Sequence, residues 1–477
     1  MGSYPELAEE YRRRLGWLVA GIVGAGAASM RNRRVAMTSA ALAGGLIASR
    51  RVAERPSRGA RARWPGGRLT DLPAVALDRD LLRREFAARG PVVKTSAGTR
   101  KVAAVLGLAR GAALLQEHRD RLSSIGYPLS ALIPKRFVRD MDPEDHAHYR
   151  LTLGSAFSPA RMRALEPELR AMVDEDVAAH RRTGAPLAVA AWTNDLLLRM
   201  WLRILFGFVA TPLELQWFRT QYLRFEWRSH IRGAPHELAA FAAVADDLTG
   251  RIDAWRGHDS ALWPECVAAS LLRDDPAALD DPNMLGNLVM LTATTSVDTH
   301  GLVKWALHFV TDGGWQRRLR ADLHEQADGG DLADRIISET LRLEQSEALH
   351  RRITDDIEHE GFMFPKGWEL RVCVTESHRD PTVFPNPDRF DPDRFKGRRY
   401  ARDQYAPFGL DNHSCIGETL ARMATRVILE RLVLAADWEV SRAFPIAFGE
   451  WRHWAPDSRW EIRLVPIASG ETAATGG

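Results

Sequence analysis

The residues best suited to metal chemistry lie in a ten-residue stretch from Phe408 to Gly417, with the sequence FGLDNHSCIG. Its cysteine, Cys415, comes just before an apolar-periodic run from about Leu420 to Ala436, and therefore just before a predicted helix. Unpaired amide groups and the positive end of the helix dipole stabilise a thiolate at such a position. A thiolate held in this way is suited to binding iron. A buried, inert cysteine is the alternative interpretation.

Three neighbours of Cys415 extend this interpretation. Gly417 removes a side chain where the helix and a bound cofactor must approach closely, and Phe408 can shield the sulfur from water. His413, two residues before the cysteine, can hydrogen-bond an acidic group of that cofactor. These residue types predict a loop that presents a thiolate to a large cofactor.

The stretch resembles the cysteine loop of the cytochromes P450, the haem-thiolate monooxygenases. The family loop runs Phe, Gly, any, Gly, any, His or Arg, any, Cys, any, Gly, and Asp411 replaces its second glycine. Because aspartate often tolerates the left-handed backbone that such a glycine supplies, this departure changes the match only slightly. The resemblance implies haem b, iron protoporphyrin IX, with Cys415 as the iron ligand, Phe408 and Gly417 beside it and His413 at a propionate.

A second group lies in the middle of a long helix predicted from about Met284 to Val310. Its centre, from Thr294 to His300, has the sequence TTSVDTH. It resembles the oxygen-activating stretch of the family, in which an acidic residue precedes a threonine. The resemblance implies that Asp298 and Thr299 deliver protons to bound dioxygen.

This helix departs from the family pattern at three positions. Thr295 and Ser296 replace the usual Ala-Gly, and His300 replaces a common second threonine. Serine and threonine within a helix often hydrogen-bond to the preceding turn, which loosens the helix and admits water. We therefore expect a more polar or narrower oxygen groove than the family usually has.

Basic residues elsewhere in the chain can bind anionic groups. Asp142 to Asp145 has the composition of a helix start, and His146 and Arg150 follow four residues apart on one helical face. Taken alone, such a pair usually marks a solvated face. Its sequence context resembles the family helix that binds the haem propionates. The resemblance also implies a propionate-binding arginine at Arg351, with Arg352 as its rival.

Three further charged residues match a structural motif. Glu339 and Arg342 lie three residues apart on a helix predicted from Asp331 to Leu343. They resemble the Glu-x-x-Arg pair of the family, which Arg394 completes as a triad. A buried triad must be mutually hydrogen-bonded, because any member left alone would be an uncompensated charge. Its implied role is to fix the loop that leads to Cys415.

Composition places the chain among soluble-type enzymes large enough to enclose a cofactor. It has 477 residues, of which 45% are hydrophobic and 27% charged. Its three cysteines are too few and too scattered for a disulfide framework or a zinc site, which indicates a reducing compartment. Residues 1–70 carry a net charge of +9, so the rest carries −6 of the total of +3. This distribution does not favour nucleic-acid binding.

Residues 1–52 form an apolar and basic leader. Two uncharged runs, Leu15 to Met30 and Val35 to Ser49, are bracketed by arginines. Each would be about 24 Å long as a helix, against a hydrocarbon core of roughly 30 Å. We expect a membrane-embedded or interfacial hairpin at the cytoplasmic membrane face, because flanking arginines attract anionic headgroups. A secretory signal, an organelle transit peptide and helices packed on the body are the alternatives.

The remaining chain divides into a linker, a body and a tail. Residues 53–70 are predicted to be an Arg-, Gly- and Pro-rich linker, 71–467 the haem-binding catalytic domain and 468–477 a disordered tail. The resemblance implies the P450 fold, mainly α with small β-sheets. It also implies that Ser123 to Arg139 covers the pocket and that Glu214 to Trp227 forms a lid. Aromatic residues of this lid either bind an apolar or aromatic substrate or pack its underside.

Hydrophobic periodicity predicts further elements. A β-hairpin is expected over Pro91 to Val105, strands around a turn over Ile353 to Thr375, and a second hairpin over Trp451 to Pro466. Helices are predicted over Leu81–Arg89, Gly107–Glu117, Leu165–Ala179, Trp192–Phe206, Glu237–Trp255 and Pro264–Leu272.

The motifs together imply a monooxygenase that uses dioxygen and two externally supplied electrons to oxidise a largely apolar organic substrate. No part of the chain resembles a flavin or iron–sulfur domain, so the electrons are expected from a separate ferredoxin or flavodoxin with its reductase. Two alternatives stay open. One is a peroxygenase, isomerase or oxidative coupling catalyst on the same fold, and the other is a haem-binding protein without turnover.

Overall fold

A computed structural model describes residues 63, 65–71, 80–97, 100–125, 132–225, 235–311, 313–325, 330–345, 348–443, 446–448 and 454–467. The chain separates into two units, Met1–Trp64 with Glu360–Met363 and Pro65–His359 with Phe364–Gly477. The predicted leader 1–52, most of the predicted linker and the predicted tail 468–477 lie outside the described residues. The account below concerns the second unit.

Helices form most of this unit, as the P450-type prediction requires. They are α1 Leu81–Arg89, α2 Leu108–Glu117, α3 Pro143–Ala156, α4 Pro159–Thr183, α5 Val189–Phe206, α6 Pro212–Phe225, α7 Pro235–Arg256, α8 Val267–Asp274, α9 Pro282–Val310, α10 Gly313–Glu325, α11 Leu332–Thr340, α12 Val374–Ser377 and α13 Glu418–Ala435. A π-helical turn, Leu341–Gln345, continues α11.

The strands are short and belong to several small sheets. They are β1 Gly66–Asp71, β2 Val92–Ala97, β3 Arg100–Val105, β4 Leu122–Ser123, β5 Leu187–Ala188, β6 Leu349–Ile353, β7 Ile357–His359, β8 Phe362–Phe364, β9 Glu369–Val372, β10 Asp437–Arg442, β11 Ile446–Phe448, β12 Trp454–Pro456 and β13 Glu461–Val465. The largest sheet has six strands in the order β1-β2-β3-β9-β6-β4, and a three-stranded sheet has the order β10-β13-β5. The prediction of a mainly α fold with small sheets is confirmed.

Local sequence explains where several elements begin and end. The hairpin of β2 and β3 is antiparallel with Val92 opposite Val105, as predicted. Helix α4 is longer than its periodicity indicated, because the Ser158 hydroxyl caps its first turn and Pro159 suits that position. It ends at Gly184, whose φ of 65° is the left-handed conformation that terminates helices.

Helix α9 forms the centre of the unit. It packs against α5 and α13, and α13 packs in turn against α4. Burial of its apolar residues on all sides accounts for its length, because such a helix is stable only within a core. It places the Asp298-Thr299 pair deep in the molecule.

Two predictions of organisation differ from the structure. Strand β1 begins at Gly66, inside the predicted linker, and pairs in parallel with β2, so the sheet starts before the predicted boundary at residue 71. The predicted hairpin over Trp451 to Pro466 is wrong. Strand β12 pairs with β11, whereas β13 pairs with β10 and β5. Alternation of apolar residues identifies strands but does not identify their partners.

Within the described part of the chain, no helix has both the length and the apolar character needed to cross a membrane.

Candidate active site

The cysteine loop is a tight turn that precedes α13. The Cys415 amide donates to the Phe408 carbonyl over 2.7 Å, which closes the loop. Gly409 has a φ of 103°, and a Cβ there would lie 3.2 Å from the Ser414 Cα, so this position requires glycine. Cys415 is solvent-exposed and lies three residues before the start of α13 at Glu418. Cys415 therefore lies just before a helix N-terminus, as predicted.

Asp411 does not adopt the left-handed backbone that the family glycine can supply. Among the described residues, positive φ outside glycine occurs only at Arg136, Glu360 and Asn386. Its side chain instead stabilises the loop, because one carboxylate oxygen accepts from the His413 amide at 3.0 Å. The other oxygen forms an ion pair with Arg351.

The middle of α9 is partly exposed, although the helix is otherwise buried. Residues 294–298 are half-buried, whereas the helix is buried on either side of them at Ala293 and Thr299. The predicted back-bonding is present: Thr294, Thr295 and Ser296 each donate a hydroxyl to a carbonyl of the preceding turn. These hydroxyls are therefore engaged within the helix.

Helix α9 and the cysteine loop approach each other at Gly417. A Cβ on Gly417 would lie 3.6 Å from the Thr295 methyl carbon and 3.7 Å from the Cys415 sulfur. These are ordinary contact distances, so no protein atom requires glycine here. Thr295, in the polar centre of α9, and the Cys415 thiol therefore both lie next to Gly417.

His300 serves a different purpose from the threonine it replaces. Its ring is 8% exposed and its Nδ1 lies 2.9 Å from the Thr193 hydroxyl on α5. Burial lowers the pKa of His300 well below its usual value, and Lys304 lowers it further. The ring is thus a neutral link between two core helices.

The predicted anion-binding residues converge beside the loop. The His146 and His413 ring centroids are 4.1 Å apart, and the Arg150 guanidinium donates to the Ser414 carbonyl. Arg351 reaches the same place through Asp411, whereas Arg352 is exposed on the neighbouring position of β6. The structure therefore brings Arg351, and not its rival, to the cluster.

The electrostatics of this cluster reflect crowded positive charge. Burial, together with the charges of Arg351 and His146, lowers the pKa of His413 to about 4. Burial and Arg150 likewise lower the pKa of His146. The His413 Nδ1 is buried without a hydrogen-bond partner among the described residues. Such a site has the charge and the unused hydrogen-bonding capacity to receive an anion.

The charged triad is assembled and buried. Glu339 and Arg342 are fully buried and form two hydrogen bonds of 2.7 and 2.8 Å. The Arg394 Nε donates to Glu339 at 2.9 Å. Arg342 also donates to the carbonyls of His378 and Arg389, in the segment that leads to the cysteine loop. The geometry is that of the predicted triad.

Sequence reasoning missed two participants in this site. Asp411 is the partner of Arg351, and its only signal was a departure from the family glycine. The buried His378 ring accepts from the Ala406 amide at 3.0 Å and so connects the triad segment to the cysteine loop. Burial and Arg342 lower the pKa of His378 to about 3, so this ring is neutral. No sequence pattern pointed to that role.

Known proteins are similar to this chain in sequence and in fold. Residues 327–447, which include Glu339, Arg394 and Cys415, match the family described as Cytochrome P450. Abscisic acid 8'-hydroxylase 1 of Oryza sativa subsp. japonica is 25% identical over 326 residues, 62% of this chain and 67% of the relative. Cholesterol 16,22-dihydroxylase CYP90G4 of Paris polyphylla is 38% identical over 118 residues, 24% of each chain.

Solved structures agree with these relatives. The retinoic acid-bound cyanobacterial CYP120A1 matches with a TM-score of 0.72 and 19% identity, over 85% of this chain and all of that one. The chain belongs to the cytochrome P450 family. It is a P450 monooxygenase with a haem-iron cofactor. It spans about two thirds of the length of the first curated relatives and less of several others.

The site fits the haem that family membership requires. The Cys415 side chain is exposed, and a Cβ on Gly417 would lie 3.7 Å from its sulfur, so glycine keeps the approach to the sulfur uncovered. The cluster of His146, Arg150, Arg351 and His413 suits the two carboxylates of a haem, because its two arginines supply positive charge and its two imidazoles can supply hydrogen bonds. The individual roles of these residues, of Phe408 and of the Asp298-Thr299 pair stay predictions.

Proposed function

We propose that this P450 inserts one oxygen atom from dioxygen into a largely apolar organic substrate, with two electrons supplied from outside. The observation that carries the proposal is the juxtaposition of an exposed thiol with the half-buried, polar centre of α9 across Gly417. A haem-thiolate placed there supplies oxygen activation, and electron donation by the sulfur favours O–O cleavage.

The protein's own part in this reaction is to bind, orient and deliver protons. Cys415 holds the iron, and the cationic cluster holds the propionates of haem b. Thr299 is 2% exposed and follows Asp298, so its hydroxyl lies at the end of the half-buried stretch. Asp298 and Thr299 pass protons towards the oxygen-binding side of the pocket.

The proposed substrate is a mainly apolar molecule. The similar proteins include an abscisic acid 8'-hydroxylase and a cholesterol 16,22-dihydroxylase, which favours an organic substrate for this chain too. The predicted aromatic lid includes helix α6. Two of its aromatic residues, Phe218 and Tyr222, are buried, so they pack the underside of this helix. These two rings therefore act as core residues. A role in specialised metabolism is a further part of the proposal.

The electron donor and the location of the enzyme are further parts of the proposal. A separate ferredoxin or flavodoxin with its reductase supplies the electrons one at a time. Residues 1–52, with their paired apolar runs and flanking arginines, hold the enzyme at the cytoplasmic face of a membrane.

The decisive experiment uses Cys415→Ser, because serine keeps the size of the side chain but removes the sulfur. The wild-type protein, reduced under carbon monoxide, should show the spectrum of a thiolate-ligated haem, and the variant should not. With ferredoxin, reductase and an apolar substrate panel, dioxygen should be consumed and hydroxylated product formed. An unchanged spectrum in Cys415→Ser would contradict the proposal. Product formed from peroxide without any reductase would favour the peroxygenase alternative.

A further inference from the structure

A cluster of metal-ligating side chains lies at the end of α2, apart from the cysteine loop. Glu117 is the last residue of α2, His118 follows it, and His359 is the last residue of β7. One potential ligand atom from each side chain lies within 4.8 Å of the others. Residues far apart in sequence thus bring two imidazoles and a carboxylate to one point.

The two imidazoles are poorly satisfied by the protein. His359 is only 8% exposed, and its Nε2 is buried without a hydrogen-bond partner among the described residues. The Nε2 of His118 is buried and unpartnered in the same way. Buried polar atoms normally find a partner, so two such nitrogens in adjacent rings indicate a missing ligand. Their ring centroids are 5.4 Å apart in an edge-to-face arrangement.

We propose that Glu117, His118 and His359 bind a divalent cation of the zinc class. Imidazole nitrogen with one carboxylate oxygen is a ligand set that suits zinc and not calcium or magnesium. Ligand atoms around zinc lie about 2.0–2.2 Å from the ion, hence roughly 3.3 Å from one another. The Glu117 carboxylate already lies beside the His359 ring, 3.4 Å from its Nδ1, and this 61% exposed side chain can rotate towards the unpartnered Nε2 atoms to complete the set. Water takes the fourth position.

The bound ion would link two elements that lie far apart in the sequence. It joins the end of α2 to β7, and the chain runs from His118 through the 3-10 turn Arg119–Arg121 into β4. Strand β4 pairs with β6, placing Ser123 opposite Arg352. The site therefore secures the segment between α2 and the sheet strand that carries Arg351.

The test is a zinc titration of the untagged, full-length holoenzyme after treatment with a chelator. Isothermal titration calorimetry should show one zinc ion per chain, and the unfolding temperature should rise with zinc concentration. Anomalous diffraction at the zinc edge should place the ion between the three side chains. The haem absorption spectrum should stay unchanged throughout, because the iron is bound elsewhere.

Variants decide whether these residues are the ligands. Each of His118→Ala and His359→Ala should weaken zinc binding by about 100-fold or more, and Glu117→Gln by about 10-fold or more. His258→Ala, which removes an exposed histidine, should bind as the wild type does. Since Glu117 and His118 are not core residues, their variants stay informative even if His359→Ala fails to fold. Absence of stoichiometric zinc binding, as with a water molecule between the rings, would overturn the proposal. Wild-type affinity in both Glu117→Gln and His118→Ala would overturn it equally.

Discussion

Asp411 shows how a single side chain can replace the conformational role of a glycine. A glycine contributes backbone freedom, whereas Asp411 holds the loop by accepting from the His413 amide and pairing with Arg351. The same carboxylate adds a negative charge close to the thiolate. The residue therefore links loop geometry to the electrostatics of the haem site.

We predict that Asp411→Asn raises the reduction potential of the haem iron. Loss of a nearby negative charge favours the reduced state, by about 20–70 mV for a charge roughly 10 Å away at intermediate dielectric. Spectroelectrochemical titration measures the change. Asparagine removes the charge but keeps an acceptor for the His413 amide, whereas Asp411→Gly loses both the charge and the acceptor. Comparison of the two variants therefore distinguishes the effect of the charge from the effect of the loop hydrogen bond. Equal potentials in the wild type and both variants would exclude this electrostatic role.

We predict that Thr299→Ala uncouples consumption of reductant from product formation. The hydroxyl of Thr299 is the predicted proton relay, so its loss should reduce the product yield per electron pair by about 10-fold or more. Thr299→Ser keeps the hydroxyl and should retain most of the coupling. Ser296→Ala is the matched control, because its hydroxyl is already bonded to the Thr292 carbonyl. Coupling equal to the wild type in Thr299→Ala would contradict the relay.

At the scale of elements, helices were predicted better than strand partners. Helix α1 matches its predicted bounds, because helical periodicity and its ends are local properties. The hairpin predicted over Trp451 to Pro466 failed because pairing depends on contacts distant in sequence. Motif spacing placed Glu339, Arg342 and Arg394 correctly, but nothing in the sequence marked His378 as their link to the cysteine loop.

The triad predicts a large loss of stability when one charge is removed. Glu339→Gln should lower the free energy of unfolding by about 3–5 kcal/mol, because two arginines then lose a buried counterion. Urea unfolding monitored by far-ultraviolet circular dichroism measures it, with haem content as a second readout. Arg318→Ala is the control, since its exposed pair with Asp393 should contribute only about 0–1 kcal/mol. Equal decreases in the free energy of unfolding in the two variants would show that the buried triad stabilises the protein no more than an exposed ion pair does.

His378 predicts a pH dependence of stability. Its pKa in the folded protein, about 3, lies below its ordinary value of 6.5, because burial and Arg342 disfavour the charged ring. Between these values the unfolded chain binds more protons, so stability is present above pH 6.5 and is lost as the pH falls towards 3. Protonation also removes the acceptor for the Ala406 amide.

This contribution should be roughly 3–5 kcal/mol when complete. Unfolding midpoints of the wild type and His378→Gln, measured from pH 7.5 to pH 4, test it. The variant should be less stable at neutral pH and should have the shallower slope. Parallel slopes in the two proteins would assign the acid sensitivity to other groups.

At the scale of the whole molecule, the predicted leader and linker differ from the catalytic body in the sign of their net charge. Residues 1–70 have a net charge of +9, against −6 for the remainder. Anionic lipid headgroups attract basic segments by about 1 kcal/mol per arginine near the surface, and salt screens this attraction. We therefore expect the full-length protein to bind anionic vesicles through its leader.

Replacing Arg12, Arg13 and Arg14 with glutamine should weaken vesicle binding by about 100-fold at low salt, since three contributions of about 1 kcal/mol are lost. Cosedimentation with vesicles of mixed neutral and anionic lipid measures this, and high salt should reduce the difference. The control replaces Arg181 and Arg182, which are exposed at the end of α4, and should leave binding unchanged. If the leader and control variants bind alike, or if neutral vesicles bind as well as anionic ones, the leader does not act as an electrostatic membrane anchor. The haem spectrum should be the same in all variants, because the site is formed within Pro65–His359 and Phe364–Gly477.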